Sequence, residues 1–318
     1  MFNEEEVVDL FFARMEPLLE AQGLSYEIVC VNDGSRDATL AKLLGHRHRN
    51  PAIKIVSLSR NFGKEQALTA GLDASTGRAV IPMDVDLQDP PELISAFVEQ
   101  WRNGHDIVYG VRESRESDGP FKRVTAGLFY RMFNRLTEVR IPENTGDFRL
   151  RDRRVVDALK LLPERNRFMK GLFAWVGFKQ LGVPYVRPQR AAGTTKWNYW
   201  RLWNFALDGI TGFSTLPLRL WSYVGGAISL LSFLYAAFLV VRVIVHGIDA
   251  PGYASLMVVM LFLGGIQLIT LGIIGEYVGR LYKESKHRPL YLVDRTFGFD
   301  AQAQQSQQPV MEAPHRGA

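Results

Sequence analysis

Hydrophobic and polar positions are arranged in two different ways along this chain. Through the first two thirds, short apolar runs separate longer stretches with helical spacing, whereas the last third holds two long runs with no polar face. Tyr26–Asn32, Ile53–Ser57, Arg78–Met83 and Asp106–Tyr109 are short, apolar runs, most of them rich in β-branched residues, and they predict strands. Between and around them, Val7–Gln22, Asp37–His48, Lys64–Ser75 and Glu92–Asn103 repeat apolar residues at the helical period and predict helices. Strand and helix in alternation predict an α/β domain with a mostly parallel sheet, because parallel neighbours need a crossover of that length. Ligands of such sheets bind beyond the carboxyl ends of the strands. The segments that follow each strand are therefore where chemistry is expected.

The two long runs, Leu220–Val241 and Ala250–Gly275, contain no formally charged residue. At 1.5 Å per residue each is long enough to cross the roughly 30 Å of a bilayer's hydrocarbon core. Helices buried in a soluble core are seldom apolar on every face over such a length, so the runs predict two membrane spans. The short connector from Arg242 to Asp249 makes them a hairpin with both ends on one side. Arg187, Arg190, Lys196, Arg201 and Arg219 precede the hairpin and Arg280, Lys283, Lys286 and Arg288 follow it, whereas the connector holds only Arg242. Positive residues stay on the cytoplasmic side, so a multi-pass protein with both termini in the cytoplasm is expected. Glu4, Glu5 and Glu6 do not fit a signal peptide, which would start basic and then turn apolar.

Trp197–Trp221 holds four of the six tryptophans, interleaved with Arg201, Asp208 and Arg219, and predicts helices lying in the headgroup layer. The expected organisation is a cytoplasmic domain over 1–196, interfacial helices over 197–219, a membrane hairpin over 220–276, a basic cytoplasmic segment over 277–300 and a disordered tail over 301–318. Gly225, Gly226, Gly264, Gly265, Gly272 and Gly275 let helices approach closely, so packing between copies is an expectation as well.

Composition narrows the partners. Cys30 is alone, which excludes a disulfide scaffold, and 47% hydrophobic residues exclude a chain disordered throughout. The 38 Lys and Arg against 33 Asp and Glu give a net charge of +5, compatible with nucleic acid, an anionic bilayer or phosphorylated small molecules. With two spans beside an α/β domain, membrane lipids and phosphorylated ligands are the expected partners, and nucleic acid is not.

After the first predicted strand, Asp33 sits at a strand end, Gly34 permits a tight turn and Asp37 can cap the next helix. After the second, Arg60 and Lys64 flank a turn and are available to an anion. After the third comes Asp84-Val85-Asp86-Leu87-Gln88, where alternation in an extended segment puts Asp84, Asp86 and Gln88 on one side. Two carboxylates and an amide oxygen make a hard-oxygen site for Mg2+ or Mn2+ with room for water and a diphosphate. About one D-x-D is expected by chance at this length, so the triplet gains its meaning from its place at a strand end. Arg112, Lys122 and Arg123 lie in or beside a charged loop and suit a phosphate, Asp147 stands between a turn and an apolar run, and Arg190 and Lys196 flank a Gly-containing loop before the interfacial helices.

Together these residues resemble the family 2 glycosyltransferases, and within them the polyprenyl-phosphate glycosyltransferases, including bactoprenol glucosyltransferases and dolichol-phosphate mannose synthases. The likeness covers about residues 1–290. The family's Pro-x-Tyr/Phe-Asn-Glu-Glu motif is matched by Met1-Phe2-Asn3-Glu4-Glu5 without its strand and proline, so that strand is expected upstream of Met1, through an earlier start or a trimmed one. The resemblance implies a GT-A, Rossmann-like nucleotide-sugar domain in a bacterial inner-membrane enzyme. It further implies that Asn3, Glu4 and Asp33 contact the nucleotide, with Asp33 at the base, and that Asp84, Asp86 and Gln88 hold the metal and diphosphate. Arg112 and Arg123 are then ligands of the acceptor phosphate, Arg190 and Lys196 close over the donor diphosphate, and Asp147 orients the sugar or a neighbouring cation. The implied reaction is inverting transfer of a hexose, favoured as glucose from UDP-glucose, to polyprenyl phosphate. A processive polysaccharide synthase would share the nucleotide domain but usually carries a Gln-x-x-Arg-Trp motif and more spans. A non-catalytic membrane scaffold that merely binds nucleotide would need the acidic segment to be vestigial.

Overall fold

The computed structural model of the chain describes residues 1–112, 145–162, 164, 169–185, 214–246 and 252–299. The first part runs α1 (Glu5–Ala21), β1 (Ile28–Asn32), α2 (Thr39–Arg49), β2 (Ile53–Leu58), α3 (Lys64–Ala74), β3 (Ala79–Val80), α4 (Leu93–Arg102) and β4 (Ile107–Arg112). There the alternation read from the sequence holds element by element. Then come β5 (Thr145–Asp152), α5 (Arg153–Lys160), α6 (Met169–Trp175) and β6 (Gln180–Tyr185). Two long helices follow, α7 (Leu216–His246) and α8 (Tyr253–Ser285), and the chain returns in a final strand, β7 (Val293–Phe297).

The pairing is mixed instead of mostly parallel. β1 lies parallel to β2 and β4 parallel to β6, but β5 runs antiparallel to β3 and β4, and β7 antiparallel to β2. An antiparallel strand needs no crossover helix, so β5 and β7 leave no trace in a strand–helix alternation. The strands form two sheets, β1-β2-β7 and β3-β5-β4-β6. The third predicted strand contracts from Arg78–Met83 to two residues. On the outer edge of β1, the Met1 amine donates to the Val31 carbonyl at 2.8 Å and Asp33 N donates to the Met1 carbonyl at 2.8 Å, a parallel bridge. A cavity of 1520 Å³ opens beside this edge, lined by Val29–Val31 on one side and by Ile81–Val85 on the other.

Packing follows the apolar stripes. Val7, Val8, Phe11, Phe12 and Met15 of α1 recur at helical spacing and share a core with Ile94 and Phe97 of α4 and with Phe148 and Leu150 of β5. Val155, Val156 and Leu159 of α5 meet Leu172 and Phe173 of α6 over Ile107. α5 begins where the Asp152 side chain accepts from Arg154 N at 2.9 Å, an ordinary N-cap.

α7 and α8 touch one another and cover the two apolar runs. Val258–Ser285 is long and apolar enough to cross a membrane, and none of its apolar window is buried. Among the described residues α7 contributes a shorter apolar stretch, Tyr223–Tyr235. The region read as a basic segment over 277–300 completes α8 to Ser285 and then supplies β7. Most of the expected interfacial region, up to residue 213, and the tail from 301 lie outside the described residues.

Candidate active site

Asp33 follows β1 directly and is 3% exposed. Its two carboxylate oxygens accept from Phe62 N at 2.7 Å and Gly63 N at 3.0 Å, so it grips the loop between β2 and α3. Hydrogen bonds of this kind, with a charged acceptor, are each worth about 1.5–3 kcal/mol. The two loops can meet because Gly34 has φ +66° and no side chain: a Cβ there would stand 2.3 Å from the Arg60 carbonyl carbon. The resemblance gives Asp33 to the nucleoside base, whereas the contacts seen are with backbone amides. Beside it, Asn32 donates to Ser57 Oγ at 3.0 Å and accepts from Ser35 N at 3.2 Å. Asn3 accepts from Arg36 N at 2.9 Å, and Glu4 N donates to Thr39 Oγ1 at 2.9 Å, which ties the Asn3-Glu4 segment to the loop before α2.

The acidic segment is a turn rather than the predicted extended strand end, and burial alternates along it. Val85 and Leu87 are buried in the core shared by α1 and α4, Asp84 is exposed, and Asp86 and Gln88 are half-buried. Leu87 reaches this arrangement with φ 54°, in the left-handed region. Lys64, the first residue of α3, donates to Asp84 Oδ2 at 2.8 Å. The two side chains are 50% and 48% exposed, so the pair adds little stability. Its meaning is electrostatic: this carboxylate already holds a cation. Gln88 N donates to Asp86 Oδ1 at 3.2 Å.

Asp89 is a participant that the sequence did not reveal, since Asp89-Pro90-Pro91 reads as a helix start. It is buried and accepts from the Tyr185 hydroxyl at 2.8 Å. Tyr185 ends β6 and lies over Gly110 of β4, where an added Cβ would meet the ring at 2.7 Å. The carboxyl ends of β4 and β6 are thereby fastened to the acidic segment. Arg112 pairs through its backbone with Tyr185 at this same end. Asp147 lies within β5, and its side chain and that of Arg112 are outside the described residues, as are Arg123, Arg190 and Lys196 altogether.

Of the predicted residues, Glu4, Asp33, Asp84 and Asp86 line the same cavity as Lys64 and Asp89, while Asn3 and Gln88 do not line it. Among the described residues no group of three His, Cys, Asp or Glu side chains is arranged to hold a metal. The donors at hand are the oxygens of Asp84 and Asp86, which line the cavity, with Gln88 next along the chain but off the lining; they are hard oxygens of the kind Mg2+ and Mn2+ take, and Asp84 is paired with the Lys64 ammonium.

An α/β domain with acidic residues around one cavity is followed by two long apolar helices, one of them long and apolar enough to cross a membrane. The chain belongs to the family 2 glycosyltransferases: residues 1–160 match the glycosyl transferase family 2 model, and residues 216–281 match the GtrB C-terminal hairpin. It is similar to an uncharacterized glycosyltransferase of Synechocystis, 59% identical over 300 residues that cover 94% of each chain. It is also similar to a bactoprenol glucosyl transferase of Shigella phage SfV, 50% identical over 293 residues, 92% of this chain and 95% of the phage protein. A mannosyltransferase of Pyrobaculum calidifontis solved with GDP-Man and Mn2+ aligns at 15% identity with a TM-score of 0.45, covering 91% of this chain and 86% of that one. By the family model and these relatives, the protein is a glycosyltransferase of family 2.

Proposed function

We propose that this glycosyltransferase moves a glucosyl unit from UDP-glucose to a polyprenyl phosphate at the cytoplasmic face of a bacterial membrane, inverting the anomeric centre. The observation that carries the reading is the cavity lined by Asp33, Lys64, Asp84 and Asp86 in a chain that continues into two long apolar helices, one of them of span length and apolarity. The bactoprenol glucosyl transferases at about half identity support the choice of sugar and acceptor.

A polyprenyl phosphate is already largely ionised near neutral pH, its second pKa being about 6, so the nucleophile needs little help from a base. The harder task is to bring two anions together, and that calls for cations. Asp84 and Asp86, with Gln88, would hold Mg2+ or Mn2+, which when bound supplies positive charge to the departing diphosphate. Lys64 places a further cation in the lining of the same cavity. Arg112 and Arg123 are proposed for the acceptor phosphate, Arg190 and Lys196 for the donor, Asn3, Glu4 and Asp33 for the nucleotide pocket, and Asp147 for orienting the sugar. In-line attack by the lipid phosphate oxygen on the anomeric carbon expels UDP, and every charge lining the cavity acts on binding and on that departure. Both termini are placed on the cytoplasmic side, with α7 and α8 as two passes.

Membranes containing the protein, incubated with radiolabelled UDP-glucose and polyprenyl phosphate, should yield a single labelled sugar on solvent-extractable lipid. Asp86→Ala should lower that product by at least about a hundredfold while leaving membrane insertion intact. Label in a polymer, or no transfer at all, would reject the reading.

A further inference from the structure

We infer that Tyr291, on the segment that returns from the membrane helix, is a positioning residue for the loop Ser59–Lys64, which carries Lys64 to the proposed donor site. The inference rests on the proposed role of Lys64, at the end of that loop, as a cation at the donor site. The chain leaves α8 at Ser285 and enters β7 at Val293, beside β2. Just before β7, the Tyr291 hydroxyl donates to Asp73 Oδ2 at 2.8 Å, and Ser59 N donates to the Leu292 carbonyl at 3.0 Å.

Asp73 lies in the last turn of α3, whose first residue is Lys64. One short helix, about 15 Å long at 1.5 Å per residue, is therefore held at one end by Asp73–Tyr291 and meets the acidic segment at the other through Lys64–Asp84. The Tyr291 ring packs in the same apolar cluster as Phe62, whose backbone amide is gripped by Asp33. The loop that Asp33 grips is thus fixed from both sides, by β1 and by the returning segment. The connection through residues 286–292 spans at most about 25 Å when extended, so the loop is also leashed to the membrane helix. This couples donor geometry to the bilayer that carries the acceptor.

The test uses the full chain in detergent micelles with UDP and UDP-glucose as probes. Tyr291→Phe keeps the ring in its cluster and loses the hydroxyl; it should raise the KM for UDP-glucose and the Kd for UDP about fivefold, with kcat and the acceptor KM within about twofold. Asp73→Asn retains an acceptor for the hydroxyl and should match the wild type. Asp73→Ala should match Tyr291→Phe, and the double variant should be no worse than either single one. Unchanged donor KM and Kd in Tyr291→Phe would overturn the inference, as would a loss of kcat, both KM values and thermal stability together. A wild type that binds UDP without transferring sugar defeats the functional reading alone, and the Kd comparison then decides this one. A wild type that binds no UDP defeats both.

Discussion

At the scale of single residues, Asp33 shows how a buried charge can act through backbone. Its carboxylate accepts two amides from a loop 29 and 30 residues away, at a point where Gly34 lets that loop come within contact of β1. A turn aspartate and a ligand aspartate look the same in sequence, because both need only an acidic residue beside a glycine. The difference lies in Phe62 and Gly63, which nothing in the local pattern connects to Asp33. Replacing Asp33 by Asn turns one acceptor into an NH2 that faces an N–H donor. The loss should be about 2–3 kcal/mol, measured as a shift in denaturant unfolding in detergent, together with weaker UDP binding. Wild-type stability in Asp33→Asn would show that the two amides find other partners.

At the scale of elements, the helices α1 to α4 and the strands β1, β2 and β4 were legible, because each presents an apolar stripe or run of the right period to a shared core. β7 was not, since Val293-Asp294-Arg295-Thr296-Phe297 reads as a polar tail; as an edge strand it takes its stability from backbone pairing with β2 and from Phe297 in the core. β3 was overread, because Ile81 and Met83 are apolar for the sake of the core they pack against without being in a strand. Of the site, Asp84 and Asp86 stood out as candidates in the sequence, but the turn that carries them, with Leu87 at φ 54°, and the Asp89–Tyr185 bond, which joins residues 96 apart, did not.

The junction of β1, β2 and the turn after α3 also escaped the sequence. Glu27 accepts from Thr76 N at 2.6 Å, Thr76 Oγ1 at 3.0 Å and Gly77 N at 2.9 Å, and from Lys54 Nζ at 2.7 Å. Burial works against its charge, but the bonds from Lys54, Thr76 and Gly77 prevail and hold the carboxyl below its ordinary value. A depressed carboxylate stabilises the fold above its unfolded pKa, and that contribution is lost as pH falls through the lower folded value. Thermal stability should therefore drop progressively below about pH 4.5, and Glu27→Gln should be less stable near pH 7 with a flatter acid limb. An acid limb identical to the wild type's would assign the acid loss to other carboxylates.

At the scale of the whole molecule, the apolar helices and the returning strand constrain one another. β7 is paired with β2, so under the proposed topology the end of α8 emerges on the same side of the bilayer as the domain that holds β2. In the proposed two-pass arrangement both ends of the 216–281 hairpin meet this demand. The chain offers a clean way to test it. Cys30 is the single cysteine, it is 2% exposed, and burial pushes its thiol up to about 12, so it carries almost no thiolate near neutral pH. A cysteine introduced as His246→Cys, at the end of α7, should react with a membrane-impermeant maleimide added outside intact cells. One introduced as Asp294→Cys in β7 should react only after the cells are opened. If both positions were protected until lysis, α7 would not cross, the shorter apolar stretch Tyr223–Tyr235 would mark a helix lying in the interface, and β7 could still pair with β2 only if α8 did not cross either. Labelling of Asp294→Cys in intact cells would instead put the catalytic sheet outside, away from the nucleotide sugars that the proposed reaction consumes.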